Sequence, residues 1–145
     1  MTPEALAMLH AQAFTTPRPW SAAEFAALKA RPECFVVTAP GGFLVASAVA
    51  GEAEVLTLAV APDARRQGIA RGLVAGFLAV AAARGAQVAF LEVAADNAAA
   101  LALYQALGFA VAGRRKGYYR TPEGTRIDAV VMTRRLAGAG RASDF

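Results

Sequence analysis

Chemistry-bearing residues are concentrated between Val60 and Leu73, where the chain reads Val-Ala-Pro-Asp-Ala-Arg-Arg-Gln-Gly-Ile-Ala-Arg-Gly-Leu. A β-rich run, Val55 to Val60, ends at Pro62, a basic turn follows, and an apolar-periodic helix begins at once. The first N–H groups of a helix lack partners inside it and sit at the positive end of its dipole. Such a terminus is a ready site for phosphate. Gly68, without a Cβ, lets a ligand approach the backbone; Ala70 is nearly as small, and Arg65, Arg66 and Arg71 add charge. These residue types point to a ligand with a pyrophosphate. An ordinary helix start with exposed arginines is the alternative.

Two common phosphate loops are excluded. No Gly-rich turn ending in Lys-Ser or Lys-Thr occurs, so there is no P-loop. Only Gly68 and Gly72 are glycine here, short of a dinucleotide fingerprint. Two further residues could do proton chemistry. Glu92 is a lone carboxylate in the apolar run Val88 to Val93, where burial disfavours the anion and readies it to take up a proton. It reads equally as a carboxylate facing solvent at a strand end, or as half of an ion pair. Glu52 and Glu54 are rivals, at the start of a strand expected to face water. Tyr104, one turn before a helix end, carries a hydroxyl of pKa about 10 that could donate a proton. It reads also as an amphipathic ring packed with Leu101 and Leu107.

Arg65-x-x-Gly68-x-Ala70 resembles the pyrophosphate loop of the GNAT superfamily of N-acetyltransferases, which bind acetyl-coenzyme A (acetyl-CoA). Leu91-Glu92-Val93-Ala94-Ala95-Asp96-Asn97 through Ala100-Leu101-Ala102-Leu103-Tyr104 to Gly108-Phe109 is similar to the second signature of that family. The likeness is nearest to the bacterial ribosomal-protein alanine N-acetyltransferases. Their pattern is echoed in Pro19-Trp20-Ser21, in Gly117-Tyr118-Tyr119 and in Asp128-Ala129, so that it runs from about Phe14 to Leu136.

The resemblance implies acetyl-CoA as donor, no metal, Glu92 as base and Tyr104 as acid toward the departing thiolate. It implies that the backbone of Leu58, Ala59 and Val60 receives the pantetheine amides as another strand would. The amides of Gln67, Gly68, Ile69, Ala70 and Arg71 would hold the pyrophosphate, with Arg65 and Arg66 neutralising it at range or simply solvated. Asn97 contacts the pantetheine arm, caps the helix, or does both. Trp20, Tyr118 and Tyr119 fall in peptide-facing loops, or are plain packing. One departure is the turn Arg120 to Ile127, which lengthens the segment before Asp128 and reshapes the peptide entrance. The acceptor implied is a protein N-terminal α-amine, an alanine of a ribosomal protein. A small-molecule amine or a lysine is the enzymatic alternative, and a non-catalytic acetyl-CoA-binding subunit the non-enzymatic one. Near neutral pH an α-amine of pKa about 7.8 is roughly a quarter neutral, a lysine about one part in a thousand. An α-amine therefore needs only a modest base. No nucleophilic Cys-His pair is evident, so transfer is expected to be direct, in a ternary complex.

The elements needed to position these residues are legible in outline. Pro3 to Phe14 carries Leu6, Leu9 and Phe14 at helical spacing, with Pro17 and Pro19 stopping it. Ser21-x-x-Glu24 is a capping box opening a helix to about Arg31. Phe35 to Thr38, Phe43 to Val49 and Glu54 to Val60 predict three sequential antiparallel strands. A helix follows from about Arg66 to Arg84, with Ile69, Leu73, Phe77 and Val80 on one face beside Ala70, Val74, Leu78 and Ala81, and Gly85 as stop. Gln87 to Val93 reads as a strand buried on both faces and parallel to the Glu54 strand, since a helical crossover precedes it. Asp96 or Asn97 caps a helix Ala98 to Leu107 ended by Gly108. Phe109 to Ala112 and Asp128 to Arg134 read as a last strand pair joined by a long polar turn. The expected fold is α/β (α+β), one GNAT-type domain over residues 1–136. Its mixed, mostly antiparallel sheet is splayed at its centre and flanked by helices, and residues 137–145 are expected to be a frayed tail.

Composition bounds the rest. The chain has 145 residues, 57% hydrophobic, and a net charge of +4. That suits one domain with one substantial core. No apolar run approaches the roughly 20 residues that cross a bilayer, and the N-terminus lacks a signal-peptide pattern. The single cysteine, Cys34, forms no internal disulfide, which agrees with a cytoplasmic setting, and reads as a small core or strand-edge residue. The arginines gather in the phosphate loop and in Arg114-Arg115-Lys116, with no nucleic-acid module beside them. Nucleic acid is therefore not expected as the main ligand. His10, the only histidine, has no metal or catalytic partners in the sequence and reads as a partly exposed bystander. Oligomeric state is left open.

Overall fold

Phe43, Leu44, Val45 and Ala46 are all buried, although alternate residues of a strand point to opposite sides of its sheet. The sheet is thus covered on both faces. The computed structural model describes residues 1–13 and 18–136. It contains α1 (Pro3–Ala13), α2 (Ala22–Lys29), β1 (Cys34–Ala39), β2 (Gly42–Val49), β3 (Glu52–Val60), a 3-10 turn (Pro62–Ala64), α3 (Ile69–Ala83), β4 (Val88–Ala94), α4 (Ala98–Ala106), β5 (Ala110–Arg120) and β6 (Arg126–Arg135). The strands form one sheet in the order β1-β2-β3-β4-β6-β5. As expected, β1 to β3 are antiparallel and β4 joins β3 in parallel after the α3 crossover.

Leu44 and Ala46, together with Ala89, Leu91 and Val93 of β4 in the same sheet, pack with Leu73, Val74, Phe77 and Ala81 of α3 and Tyr104 of α4. Phe43 and Val45 face Leu6 of α1 and Phe25 of α2. Each large apolar side chain so buried stabilises the fold by about 1.5–3 kcal/mol. The capping box holds α2 in place: Glu24 N–H donates to Ser21 Oγ at 3.2 Å and Ser21 N–H to Glu24 Oε1 at 2.9 Å. Gly42 permits the close crossing of α3 over β2, since a Cβ there would lie 2.9 Å from Ile69 Cγ2 and 3.1 Å from the Ala59 carbonyl.

The splayed centre has a visible cause. Between β3 and β4 the ladder consists of Glu52↔Val88, Ala53↔Ala89 and Glu54↔Phe90. Beyond Glu54 the strands part. There β2 meets β3 at a bulge, with Val45 opposite Thr57 and Ala46 opposite Val55, which leaves Leu56 as the extra residue. A bulge bends its strand and increases the local twist. Accordingly β3 follows β2 to Val60↔Gly42, whereas β4 follows β6 to Ala94↔Ala129.

Several expectations need correcting. The α3 helix begins at Ile69, not near Arg66, because Arg66 (φ +64°) and Gly68 (φ +75°) are left-handed and cannot lie in its first turn. β4 runs Val88–Ala94, buried on the face of Ala89, Leu91 and Val93 but half-buried on the other. The expected long polar turn after Ala112 is strand: β5 extends to Arg120 and only residues 121–125 connect it to β6. It is a sheet edge with most side chains in solvent, so it lacks the apolar alternation that marks a strand in sequence. The expected stop of α1 at Pro17, the position of Phe14 and the tail at 137–145 lie outside the described residues. No helix among the described residues is long and apolar enough to cross a membrane.

Candidate active site

The parting of β3 from β4 opens a cavity of about 630 Å³. One wall is β3 from Val55 to Val60, the other is Leu91 to Ala94 of β4 with Asn97, Ala100, Leu103 and Tyr104 at the start and middle of α4. Beyond Glu54 the β3 edge that faces the gap has no β4 partner, so its main-chain groups are open to a ligand.

At one end lies the loop from Ala64 to Arg71. Arg65, Arg66, Gly68, Ile69, Ala70 and Arg71 all line the cavity; Gln67 is exposed and stands outside its lining. Gly68 is the N-cap of α3 and no side chain caps that terminus, so the first amides of α3 have no capping acceptor. A Cβ on Gly68 would have nothing within 4 Å, so this N-cap borders open space. Arg66 holds its left-handed φ without glycine's freedom, at a cost of about 1–2 kcal/mol, a kind of strain found at binding loops. Arg65 is not wholly free: its Nε donates a long 3.4 Å bond to the Val60 carbonyl. These residues suit a diphosphate ester.

At the other end lies Glu92. Arg115 Nε donates to its Oε1 at 3.0 Å, and its side chain is 17% exposed. Oε2 is buried and has no hydrogen-bond partner. A buried acceptor left open costs about 1–3 kcal/mol, a cost that a hydrogen-bond donor entering the cavity would relieve. Glu92 is therefore both sequestered and half of an ion pair. Sequence reasoning missed Arg115, because pairing across β4, β6 and β5 brings it there. A two-residue bulge opposite Asp128 sits between Arg115 and Tyr119. Asp128 anchors it, accepting from Gly117 N–H at 2.8 Å.

Tyr119 lines the cavity near this end, and its hydroxyl is pushed up to about 12, by burial first and then by the charge of Glu92. Tyr118 is 53% exposed, edge-on to Tyr119 at 5.1 Å, and lies under the Arg115 guanidinium at 5.3 Å; it stands outside the cavity lining. Trp20 also stands outside, packed on His10 at 5.3 Å and Phe25 at 5.4 Å. Tyr104 is buried in the α3-side core, edge-on to Phe109 at 5.7 Å, and burial pushes its hydroxyl up to about 12. Asn97 does cap α4, its Oδ1 accepting from Ala100 N–H at 3.1 Å, and it lines the cavity as well.

Two expectations fail here. Glu54 does not face water: it is half-buried, and burial followed by repulsion from Glu92 raises its pKa. It is the last β3 residue paired to β4, so it sits in the fork of the splay. His10 is no partly exposed bystander but 1% exposed, with Trp20 N–H donating to its Nδ1 at 2.9 Å and its Nε2 at 2.8 Å from Thr57 Oγ1. Its partners are 10 and 47 residues away, which local spacing does not reveal. Among the described residues no group of three or more His, Cys, Asp or Glu could hold a metal ion.

Residues 5–109 match the family model described as Acetyltransferase (GNAT) family. The chain is 38% identical over 118 residues to the ribosomal protein bS18-alanine N-acetyltransferase of Escherichia coli (strain K12), covering 79% of each chain. The crystal structure of the ribosomal-protein-S18-alanine N-acetyltransferase from Escherichia coli superposes with TM-score 0.83 at 34% identity, over 92% of this chain and 87% of that one. Arabidopsis thaliana NAA60 in complex with acetyl-CoA shares the fold, with TM-score 0.81 at 20% identity over 94% of both chains. The chain belongs to the acetyltransferase (GNAT) family.

Proposed function

We propose that this enzyme transfers acetyl from acetyl-CoA directly to the N-terminal α-amine of a protein, with an alanine of a ribosomal protein as the acceptor. One observation carries the reading: a single cavity joins the uncapped amides of α3, the open edge of β3 and the unpartnered Oε2 of Glu92. Diphosphate, pantetheine and amine would lie along it in that order. The Escherichia coli relative is named as an N-acetyltransferase of a ribosomal-protein alanine, which supports the acceptor. A ribosomal acceptor and one free cysteine support a cytoplasmic setting.

The amides at Gly68 to Arg71 and the cations of Arg66 and Arg71 hold the diphosphate. The main chain of Leu58 to Val60 takes the pantetheine amides, with Asn97 beside it. When bound, the coenzyme supplies an activated acetyl thioester. Glu92 Oε2 accepts a hydrogen bond from the incoming amine and takes its proton as the new N–C bond forms. Arg115 fixes the carboxylate through Oε1, so that Oε2 faces the amine. With its hydroxyl near 12, Tyr104 stays protonated at working pH. It is a weaker acid than a thiol of pKa about 8.5, so it stabilises the leaving sulfur as a hydrogen-bond donor rather than by surrendering its proton. Tyr119, just past the β5 bulge, flanks the acceptor, with Tyr118 packed edge-on against it outside the cavity, while Trp20 packs on His10, the partner of Thr57.

Mass spectrometry on a peptide panel varied at the first two residues tests this reading. Acetyl-CoA-dependent addition of one acetyl group to the α-amine, greatest for alanine-starting peptides, is expected. Acetylation confined to lysine side chains or small amines would overturn the acceptor, and coenzyme binding without any acetyl transfer would overturn the activity.

A further inference from the structure

His10 and Thr57 have no role in the chemistry above, yet they are arranged with care for the proton between them. The Trp20 N–H donates to His10 Nδ1 at 2.9 Å, so that nitrogen carries a lone pair. Burial holds the imidazole at about 4, against a smaller opposing effect of Glu24, and so the ring is neutral. A neutral ring with its lone pair on Nδ1 has its proton on Nε2. Nε2–H therefore donates to Thr57 Oγ1, 2.8 Å away. With that lone pair taken, the hydrogen of Thr57 points away from His10. The imidazole is fixed by Trp20, Phe25 and Phe43, with ring centroids 5.3, 5.4 and 6.2 Å away.

Thr57 lines the same cavity as Glu92. Its placement depends on the bulge at Leu56. Val55 belongs to the α3-side core, and in a regular strand residue 57 would follow it there. The extra residue flips the alternation and turns Thr57 to the face of His10. The cavity thus carries an open acceptor, Glu92 Oε2, on one strand and an oriented donor, the Thr57 hydroxyl, on the other.

We infer that Thr57 determines specificity for α-amines by donating a hydrogen bond to the carbonyl oxygen of the acceptor's first residue, while Glu92 Oε2 holds the amine. The inference rests on the reading of Glu92 as the group that receives the amine. In a peptide N-terminus the amine nitrogen and the first carbonyl flank one Cα, so a single residue offers a donor to Glu92 on one wall and an acceptor to Thr57 on the other. A lysine ε-amine has only methylenes at that position and leaves the Thr57 donor unmatched, which disfavours it.

The test compares wild type, Thr57→Val and Thr57→Ser on an alanine-starting peptide, on the same peptide with its first carbonyl reduced to methylene, and on a lysine peptide with a blocked α-amine. Thr57→Val is expected to lower kcat/KM for the intact peptide about tenfold, chiefly through KM, and to leave the reduced peptide and the lysine peptide within about twofold of wild type. Thr57→Ser retains the hydroxyl and is expected to restore the intact peptide. A loss equal on all three acceptors, which a structural role gives, overturns the inference, as does no loss on any. Wild type active on intact peptide beside an indifferent Thr57→Val overturns this inference alone. Wild type inactive on every peptide overturns the underlying reading and this inference with it.

Discussion

Glu92→Gln separates the base from everything around it. The amide is close in size to the carboxylate, and its oxygen can still accept from Arg115 Nε, now 3.0 Å from Oε1. Arg115 is 58% exposed, so the ion pair lost contributes less than about 1 kcal/mol. The buried, unpartnered oxygen is replaced by a neutral NH₂, which is cheaper to bury than an anion. Stability should therefore change by no more than about 1 kcal/mol, and coenzyme affinity hardly at all, because the diphosphate loop lies at the far end of the cavity. Turnover should not be spared. A positioned general base contributes about 10²–10⁴-fold, and the lower end applies to an α-amine already about a quarter neutral near pH 7.3. A drop of about 10² in kcat is expected there. Raising the pH to about 9.3 makes nearly all the amine neutral for both enzymes alike, so turnover of each should rise about fourfold and the gap between them should persist. Stopped-time mass spectrometry of an alanine-starting peptide across pH, with calorimetry of coenzyme binding, measures both. Turnover within threefold of wild type near pH 7.3, or a deficit that vanishes once the amine is neutral, refutes Glu92 as the base of the attack step.

Other perturbations have equally definite outcomes. Tyr104→Phe keeps the edge-on packing against Phe109, so kcat should fall more than tenfold while coenzyme KM stays within about twofold; a rise in KM with kcat intact would mean that the ring only packs. Gly68→Ala adds a Cβ at the N-cap of the uncapped α3 terminus and strains φ +75° by about 1–2 kcal/mol, and calorimetry should show acetyl-CoA affinity reduced about tenfold or more; unchanged affinity would remove these amides from the diphosphate site. His10 has a folded-state pKa of about 4, below its unfolded value of 6.5. The unfolded chain therefore takes up a proton that the fold refuses as pH falls from 6.5 toward 4, and stability present above 6.5 is lost across that window. Urea titrations should show about 2 kcal/mol lost between pH 7.5 and 5, and a His10→Gln variant should lack that loss.

What the sequence determined by itself was whatever depends on neighbours along the chain. Ser21 and Glu24 form their capping box within one turn, Asn97 caps α4 three residues away, and Arg65 to Gly68 make the loop that precedes α3. Two signatures in family order carried the fold, because each is one continuous run of chain, the end of β3 into α3 and the end of β4 into α4. Element edges were less legible where edge exposure removed the apolar alternation, as along β5, or where a left-handed residue delayed a helix, as before Ile69. Tertiary structure alone decided which side chains meet. The bulge at Leu56 parts β3 from β4, flips Thr57 toward His10 and brings Glu54 into the fork with Glu92. Arg115 reaches Glu92 only because β6 lies between their strands. A single inserted residue reverses every side chain beyond it along a strand, and pairing register is set by contacts far apart in the chain, so spacing along the sequence does not reveal these encounters.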